Sequence, residues 1–168
     1  MQAGVSIREY LTGDFEPDCD YVDGVLEERN LGEYDHGRLQ VLIGSYFLGQ
    51  RASGIRCALS LRIRTGERRF RVADVVVTAG IPNEQVLTRP PLLCVEVLSP
   101  EDRFIRTVDR ADDYLNMGVP EVWIINPESL RTYVCESTGL HEVRERVLVT
   151  KDGRVRSDLD AIEQDLRD

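Results

Sequence analysis

Apolar and polar positions alternate along the chain with two periods, which predict a mixture of strands and helices. Apolar residues at helical spacing after the polar stretch 33–37 predict a long helix of about 15 residues ending near Gly54. Alternation over 55–63 and again over 70–78, with a turn at Thr65-Gly66, predicts a β-hairpin. The nearly continuous apolar run 92–98 predicts a strand buried on both faces.

The rest of the pattern predicts a layered fold. Ser6 and Glu9 form a capping-box pattern for a short first helix, and Asp23-Gly24 predicts a tight hairpin. A second long helix is expected from about residue 103 to Met117, closed by Gly118. Further strands are predicted over 119–126, 131–135 and 142–150. This order predicts the α/β (α+β) class, with a mixed central sheet flanked by helices.

Length and composition narrow the class of protein. The 168 residues contain no repeat or linker, which predicts one domain over 1–150 followed by an acidic tail over 151–168. No apolar run approaches the roughly 20 residues that span a bilayer, and the start lacks a basic and apolar leader, so we expect a cytoplasmic protein. The four cysteines form no Cys-x-x-Cys pair, and we expect reduced thiols.

The net charge of the chain is -9, whereas proteins that coat nucleic acids are strongly basic. Positive charge is nevertheless concentrated in residues 51–71, which hold seven arginines and one acid. Arg62, Arg64 and Arg69 of this band could face a phosphate backbone, or could pair with acids elsewhere on a solvated hairpin. The chain has a single lysine, Lys151, so a mechanism that requires lysine has one candidate.

Two apolar strands each carry one acid near the middle, Asp74 in 72–77 and Glu96 in 94–98. An ionised carboxylate in a dry interior is costly unless it is paired or binds a metal. If the two strands are neighbours, their carboxylate oxygens suit Mg²⁺ or Mn²⁺. The alternative is that each acid lies at a strand end or pairs with a buried arginine.

These acids belong to a longer set of motifs that resembles the Uma family of restriction-endonuclease-like proteins, in the PD-(D/E)XK nuclease superfamily. The motifs are Tyr21-Val-Asp-Gly, His36 at a helix start, Arg71-Val-Ala-Asp-Val-Val-Val, Val95-Glu-Val-Leu-Ser-Pro, Asp109-Arg-Ala-Asp-Asp-Tyr and Gly118-Val-Pro-Glu-Val-Trp. The resemblance covers roughly residues 6 to 135. It implies a restriction-endonuclease-like fold and metal-dependent hydrolysis of DNA phosphodiester bonds.

The resemblance also implies roles for single residues. It makes Asp74 and Glu96 the metal ligands and places Arg110 where a catalytic lysine is usual, while Leu98 fills the superfamily's ordinary lysine position. Arginine stays protonated, so Arg110 can hold phosphate but not act as a base. Glu28 and His36 are weaker candidates for the substrate-binding site. Tyr114 and Trp123 are assigned to packing.

The arginine at the lysine position leaves two other functions open. The first is a catalytically inactive nuclease-fold module that binds DNA or a protein partner through the arginine band. The second is a dimeric cytoplasmic protein whose buried acids pair with arginines. Because nuclease folds often dimerise to cut both strands, we also expect a homodimer.

Overall fold

The computed structural model describes residues 4–16, 18–29, 33–99 and 104–167. Four helices, one 3₁₀ turn and ten strands occur within these ranges. In chain order they are α1 (Ile7–Thr12), β1 (Cys19–Val22), β2 (Val25–Glu28), α2 (Tyr34–Leu48), the 3₁₀ turn (Arg51–Ser53), β3 (Ile55–Gly66), β4 (Arg69–Ala79), β5 (Leu93–Val97), α3 (Phe104–Met117), β6 (Val122–Ile125), β7 (Thr132–Glu136), β8 (Gly139–Val143), β9 (Val147–Val149), β10 (Arg156–Asp158) and α4 (Leu159–Arg167).

An eight-stranded mixed sheet lies at the centre, in the order β2-β1-β4-β5-β6-β7-β8, with β3 also paired to β4. Strands β5 and β6 run parallel and are joined by α3. The neighbouring pairs β4–β5 and β6–β7 run antiparallel. Strands β9 and β10 form a separate two-stranded sheet. The predicted mixed sheet flanked by helices is therefore confirmed.

Strands β4 and β5 are buried on both faces, because successive side chains of a strand point to opposite sides. One face packs against α2, and the other packs against α3. The first cluster includes Val75, Val77 and Val95 with Leu39, Ile43 and Phe47. The second includes Val76 and Cys94 with Ala111 and Tyr114.

Local signals at three element ends are confirmed. Ser6 Oγ accepts a hydrogen bond from the Glu9 amide, and the Glu9 carboxylate accepts one from the Ser6 amide, which completes the capping box of α1. The turn between β1 and β2 has φ of 52° at Asp23 and 98° at Gly24. Gly118 follows α3 with φ of 107°, a left-handed conformation that glycine adopts without a Cβ penalty.

Some predicted boundaries are wrong. Helix α2 ends at Leu48, because the chain leaves the α-helical conformation at Gln50, with φ of -94° and ψ of 8°, and a separate 3₁₀ turn follows before Gly54. The β3–β4 turn falls at residues 67–68, because an irregularity near Arg64–Gly66 shifts the strand register. The strand predicted over 142–150 is divided between β8 and β9, which belong to different sheets. The predicted helix start at residue 103 lies outside the described residues.

The chain from 156 to 167 forms β10 and α4. Leu159 and Ile162 of α4 are buried in the same apolar cluster as the α2 side chains. The domain boundary at residue 150 stays a prediction. No helix in the described ranges has the length and apolar character that crossing a membrane requires.

Candidate functional site

Asp74 of β4 and Glu96 of β5 lie beside each other in the interior of the central sheet. The two strands are antiparallel neighbours with Val75 opposite Val95, and the two acids occupy the next position along each strand. Asp74 is 2% exposed and Glu96 is 0% exposed. The pairing of β4 with β5 therefore places two carboxylates together, away from bulk water.

Asp74 is surrounded by hydrogen-bond donors. Arg29, just after β2, donates from Nη2 to Asp74 Oδ1 at 2.5 Å, and the Val97 amide donates to Oδ2 at 2.8 Å. His36 Nε2 lies 3.4 Å from the same Oδ2. Burial pushes the pKa of Asp74 upward, but the hydrogen bond from His36 and the charge of Arg29 outweigh burial and lower that pKa. Asp74 is thus held in its ionised form.

Glu96 has a different environment, supplied by α3. Arg110 donates from Nε to Glu96 Oε2 at 3.1 Å, and the Tyr114 hydroxyl donates to Oε1 at 2.9 Å. Burial raises the pKa of Glu96 to about 7, and the charge of Asp74 acts in the same direction, against the charge of Arg110. Tyr114 lies one helical turn after Arg110 and does more than pack, since it binds a site carboxylate.

Each buried acid therefore has an arginine partner, as one of the sequence alternatives allowed. All four carboxylate oxygens of Asp74 and Glu96 accept a hydrogen bond or contact a basic nitrogen. No group of three or more His, Cys, Asp or Glu side chains within the described ranges could hold a metal ion. The oxygen donors fit Mg²⁺ or Mn²⁺ in chemical type. A cation bound at Asp74 Oδ1 would displace Arg29.

A polar cleft of about 590 Å³ opens next to Glu96, where Arg110 reaches both the carboxylate and the cleft wall. The β1–β2 hairpin forms one wall, and α3 forms the other. The lining residues are Asp20, Leu26, Glu27, Glu28, Arg71, Arg106, Asp109 and Arg110. Neither Asp74 nor Glu96 lines the cleft, and Arg110 links its wall to Glu96.

A buried ion-pair network supports the floor of the cleft. Arg71 donates from Nε to Asp113 at 2.7 Å and from Nη1 to Asp20 at 3.1 Å and to Glu27 at 2.7 Å. Asp20 also accepts a hydrogen bond from the Val72 amide at 2.8 Å. The pattern of apolar and polar residues along the chain does not predict this network. An acid within the apolar strand β1 was the signal that could have identified Asp20.

The candidate substrate-binding residues lie in different places. His36 contacts Asp74, and Glu28 lines the cleft. The three arginines of the β3–β4 band do not line the cleft. Arg62 lies over the Tyr10 ring, Arg64 donates to backbone carbonyls of its own turn, and Arg69 pairs with Asp23 and Asp113. Their proposed contact with substrate stays a prediction.

Comparison with known proteins identifies relatives of the whole fold. The Uma2 family model, described as "Putative restriction endonuclease", matches residues 9–166. A crystal structure of a "putative nuclease belonging to DUF820" from Anabaena variabilis ATCC 29413 aligns with a TM-score of 0.77 and 19% sequence identity, covering 96% of this chain and 99% of that chain. A comparison with curated proteins gives no match. The chain belongs to the Uma2 family, whose description supports a nuclease function.

Proposed function

We propose that this protein is a metal-dependent endonuclease that hydrolyses phosphodiester bonds of DNA. The supporting observation is the pair of buried carboxylates, Asp74 and Glu96, at adjacent positions of neighbouring strands beside a polar cleft. Two carboxylates so close together raise the cost of ionising both, and such pairs are common at functional sites. Family membership supports the nuclease activity, and restriction-endonuclease-like proteins generally use divalent metals.

Asp74 and Glu96 are the residues that would hold Mg²⁺ or Mn²⁺. The bound cation would supply Lewis acidity to a phosphoryl oxygen and make a nearby water more acidic. Arg29 and His36 keep Asp74 ionised, so one anionic ligand is present at neutral pH. Arg110 stabilises the ionised form of Glu96 through the hydrogen bond from its Nε.

Arg110 has a second role on the cleft wall, where its fixed positive charge favours a phosphate. No lysine is available at this position. Lys151, the single lysine of the sequence, forms an ion pair with Glu136 and lines a different cleft beside β7 and β9. The site therefore relies on positive charge from arginine, and a cation held by Asp74 and Glu96 would make a water more acidic without itself accepting the proton.

A second candidate function is a nuclease-fold module that binds DNA or a protein partner without cleaving DNA. The observation that favours it is the pairing of Asp74 with Arg29 and of Glu96 with Arg110, which satisfies both acids without a cation. Homodimerisation is proposed for either function.

The proposed function is tested by plasmid nicking with Mn²⁺ or Mg²⁺. The wild type, Asp74→Asn and Glu96→Gln are compared with Glu121→Gln, which alters a buried acid bonded to Trp123 outside the site. We expect cleavage by the wild type and by Glu121→Gln, inhibition by EDTA, and a loss of at least about 100-fold in both site variants. A folded wild type that neither cleaves DNA nor binds Mn²⁺ overturns the proposal.

A further inference from the structure

Arg106 is placed in the cleft by the geometry of α3. It precedes Arg110 by four residues, so the two side chains lie on the same helix face, and both line the cleft. Arg110 is anchored to Glu96, whereas Arg106 is exposed at the outer part of the wall. The pair extends positive charge from the buried acids towards solvent.

Arg106 differs from the other site arginines in its partners. Arg29, Arg71 and Arg110 each form an ion pair with a buried acid. The Arg106 guanidinium, by contrast, has neither an ion pair nor a hydrogen bond with any residue that the structure describes. Arg106 is exposed and lines the cleft, so its guanidinium can present N–H donors to a ligand there, and a guanidinium fits phosphate oxygens in a bidentate geometry.

The acids of the cleft limit which ligand can bind there. Arg71 pairs with Asp20 and Glu27 and also with Asp113, so its single charge offsets only part of theirs. Glu28 and Asp109 have no ion-pair partner among the described residues, so their charge repels phosphate. A phosphate on the α3 wall is therefore bound more tightly when a divalent cation offsets these carboxylates.

We propose that Arg106 and Arg110 form a phosphate subsite that binds the backbone of a DNA strand and directs it towards Asp74 and Glu96. The subsite rests on the proposed function, because the buried acids mark the position of the scissile bond. Arg110 contacts the phosphate nearest Glu96, and Arg106 contacts a phosphate farther out in the cleft.

The test measures binding of a fluorescent DNA duplex in Ca²⁺ over a range of salt concentrations. We expect Arg106→Ala to weaken binding about three- to tenfold and to reduce the slope of log affinity against log salt by about 1. Arg106→Lys retains the slope because it retains the charge. Arg144→Ala is the matched control, since Arg144 is an exposed arginine between β8 and β9, near the opposite edge of the sheet from the hairpin.

Asp109→Asn tests the same subsite through an expected increase in DNA affinity, opposite to the decrease expected for Arg106→Ala. Removing a repulsive charge one turn from Arg106 should strengthen DNA binding about two- to fivefold, which damage to the fold does not produce. Equal effects of Arg106→Ala and Arg144→Ala, or weaker binding by Asp109→Asn, overturn the subsite. Absence of DNA binding by the wild type, or tighter binding to an RNA duplex of the same sequence, also overturns it.

The outcomes for the subsite and for the proposed function are distinguishable. Binding that depends on Arg106 in a protein that does not cleave DNA supports the subsite and contradicts the nuclease proposal. Metal-dependent cleavage and binding that are unchanged in Arg106→Ala support the nuclease and overturn the subsite.

Discussion

Asp74 and Glu96 are neighbours with opposite pKa shifts, and the difference comes from their donors. Asp74 accepts from Arg29 and the Val97 amide and contacts His36, which together stabilise its ionised form. Glu96 is fully buried beside that charge, and its pKa rises to about 7. Asp74 is therefore ionised beside a glutamate whose ionisation is disfavoured. Additional positive charge at the site would favour the ionised form of both acids.

Arg29 is predicted to be a major source of stability for the metal-free protein. Arg29→Gln leaves Asp74 buried without its closest cation, so the free energy of unfolding should fall by about 3 kcal/mol. Urea unfolding in EDTA measures the loss. The control is Arg167→Gln, which removes an arginine paired with Glu163 at the surface and should cost less than about 1 kcal/mol. Equal stabilities of the two variants would contradict the assigned role of Arg29.

The site was only partly predictable from the sequence, for reasons that differ among its residues. Asp74 and Glu96 were found because an acid is conspicuous in an apolar strand. Arg29 follows Glu27 and Glu28 in a charged stretch, and nothing local indicates that its guanidinium turns into the interior. The position of Arg71 in an arginine-rich band predicts a surface residue, because arginine is rarely buried without partners and its partners here lie far away in sequence.

The elements that carry the site were easier to predict than the pairing of the last strands. The capping box, the β3–β4 hairpin and the apolar strand β5 depend on local patterns. The assignment of 147–149 to a second sheet depends on β10, seven residues farther along, and short strands carry little periodic signal. Local chemistry therefore predicted element types better than it predicted sheet membership.

Gly118 is predicted to be required where α3 ends, at the start of the connection to β6. Gly118→Ala should destabilise the protein by about 1 kcal/mol, because its φ of 107° is a backbone conformation that alanine rarely adopts. Gly37→Ala is the control, and it is expected to increase the stability of the protein. An added Cβ there meets nothing within 4 Å, and alanine favours α2 by up to about 1 kcal/mol. Urea midpoints that shift in the same direction for both variants would contradict this explanation.

Helix α1 is joined to β1 and β4 by an aromatic cluster of Tyr10, Tyr21 and Phe70. The Tyr10 hydroxyl donates to the Cys19 carbonyl at 2.9 Å, and the residue is 0% exposed. Burial, the largest cause, raises the pKa of Tyr10 to about 12. The folded state therefore retains the phenolic proton above pH 10, where the unfolded state releases it.

This difference predicts a loss of stability in alkali. As the pH rises from 10 to about 12, Tyr10 binds fewer protons in the unfolded state than in the folded state, so this residue alone lowers the free energy of unfolding by at most about 1.4 kcal/mol per pH unit. Tyr10→Phe should reduce that slope, at some cost in stability at pH 8. Tyr34→Phe is the matched control, because it removes the hydroxyl of a tyrosine whose side chain is 76% exposed. Urea unfolding at several pH values, with tyrosinate absorbance, checks both expectations.

The described part of the molecule is held together by apolar clusters on both faces of its sheet, and Asp74 and Glu96 already have arginine partners. Its net charge of -9 also favours cation binding over unassisted approach of DNA. The fold should therefore persist in EDTA, and a divalent cation should add stability to a protein that is already folded. This behaviour differs from that of a structural metal site, where the metal-free chain unfolds.

The last prediction is a rise in Tm with metal that depends on both acids. At a Mn²⁺ concentration of 100 times Kd, binding adds about 2.7 kcal/mol, and for a chain of this size the Tm should increase by about 5–10 °C. Asp74→Asn and Glu96→Gln should lose the increase, while Glu121→Gln retains it. Arg29→Gln should show a larger increase than the wild type, because the cation no longer competes with the guanidinium for Asp74. If the Tm of the wild type is the same in EDTA and in saturating Mn²⁺, the result would indicate that Asp74 and Glu96 pair with arginines and do not bind the metal.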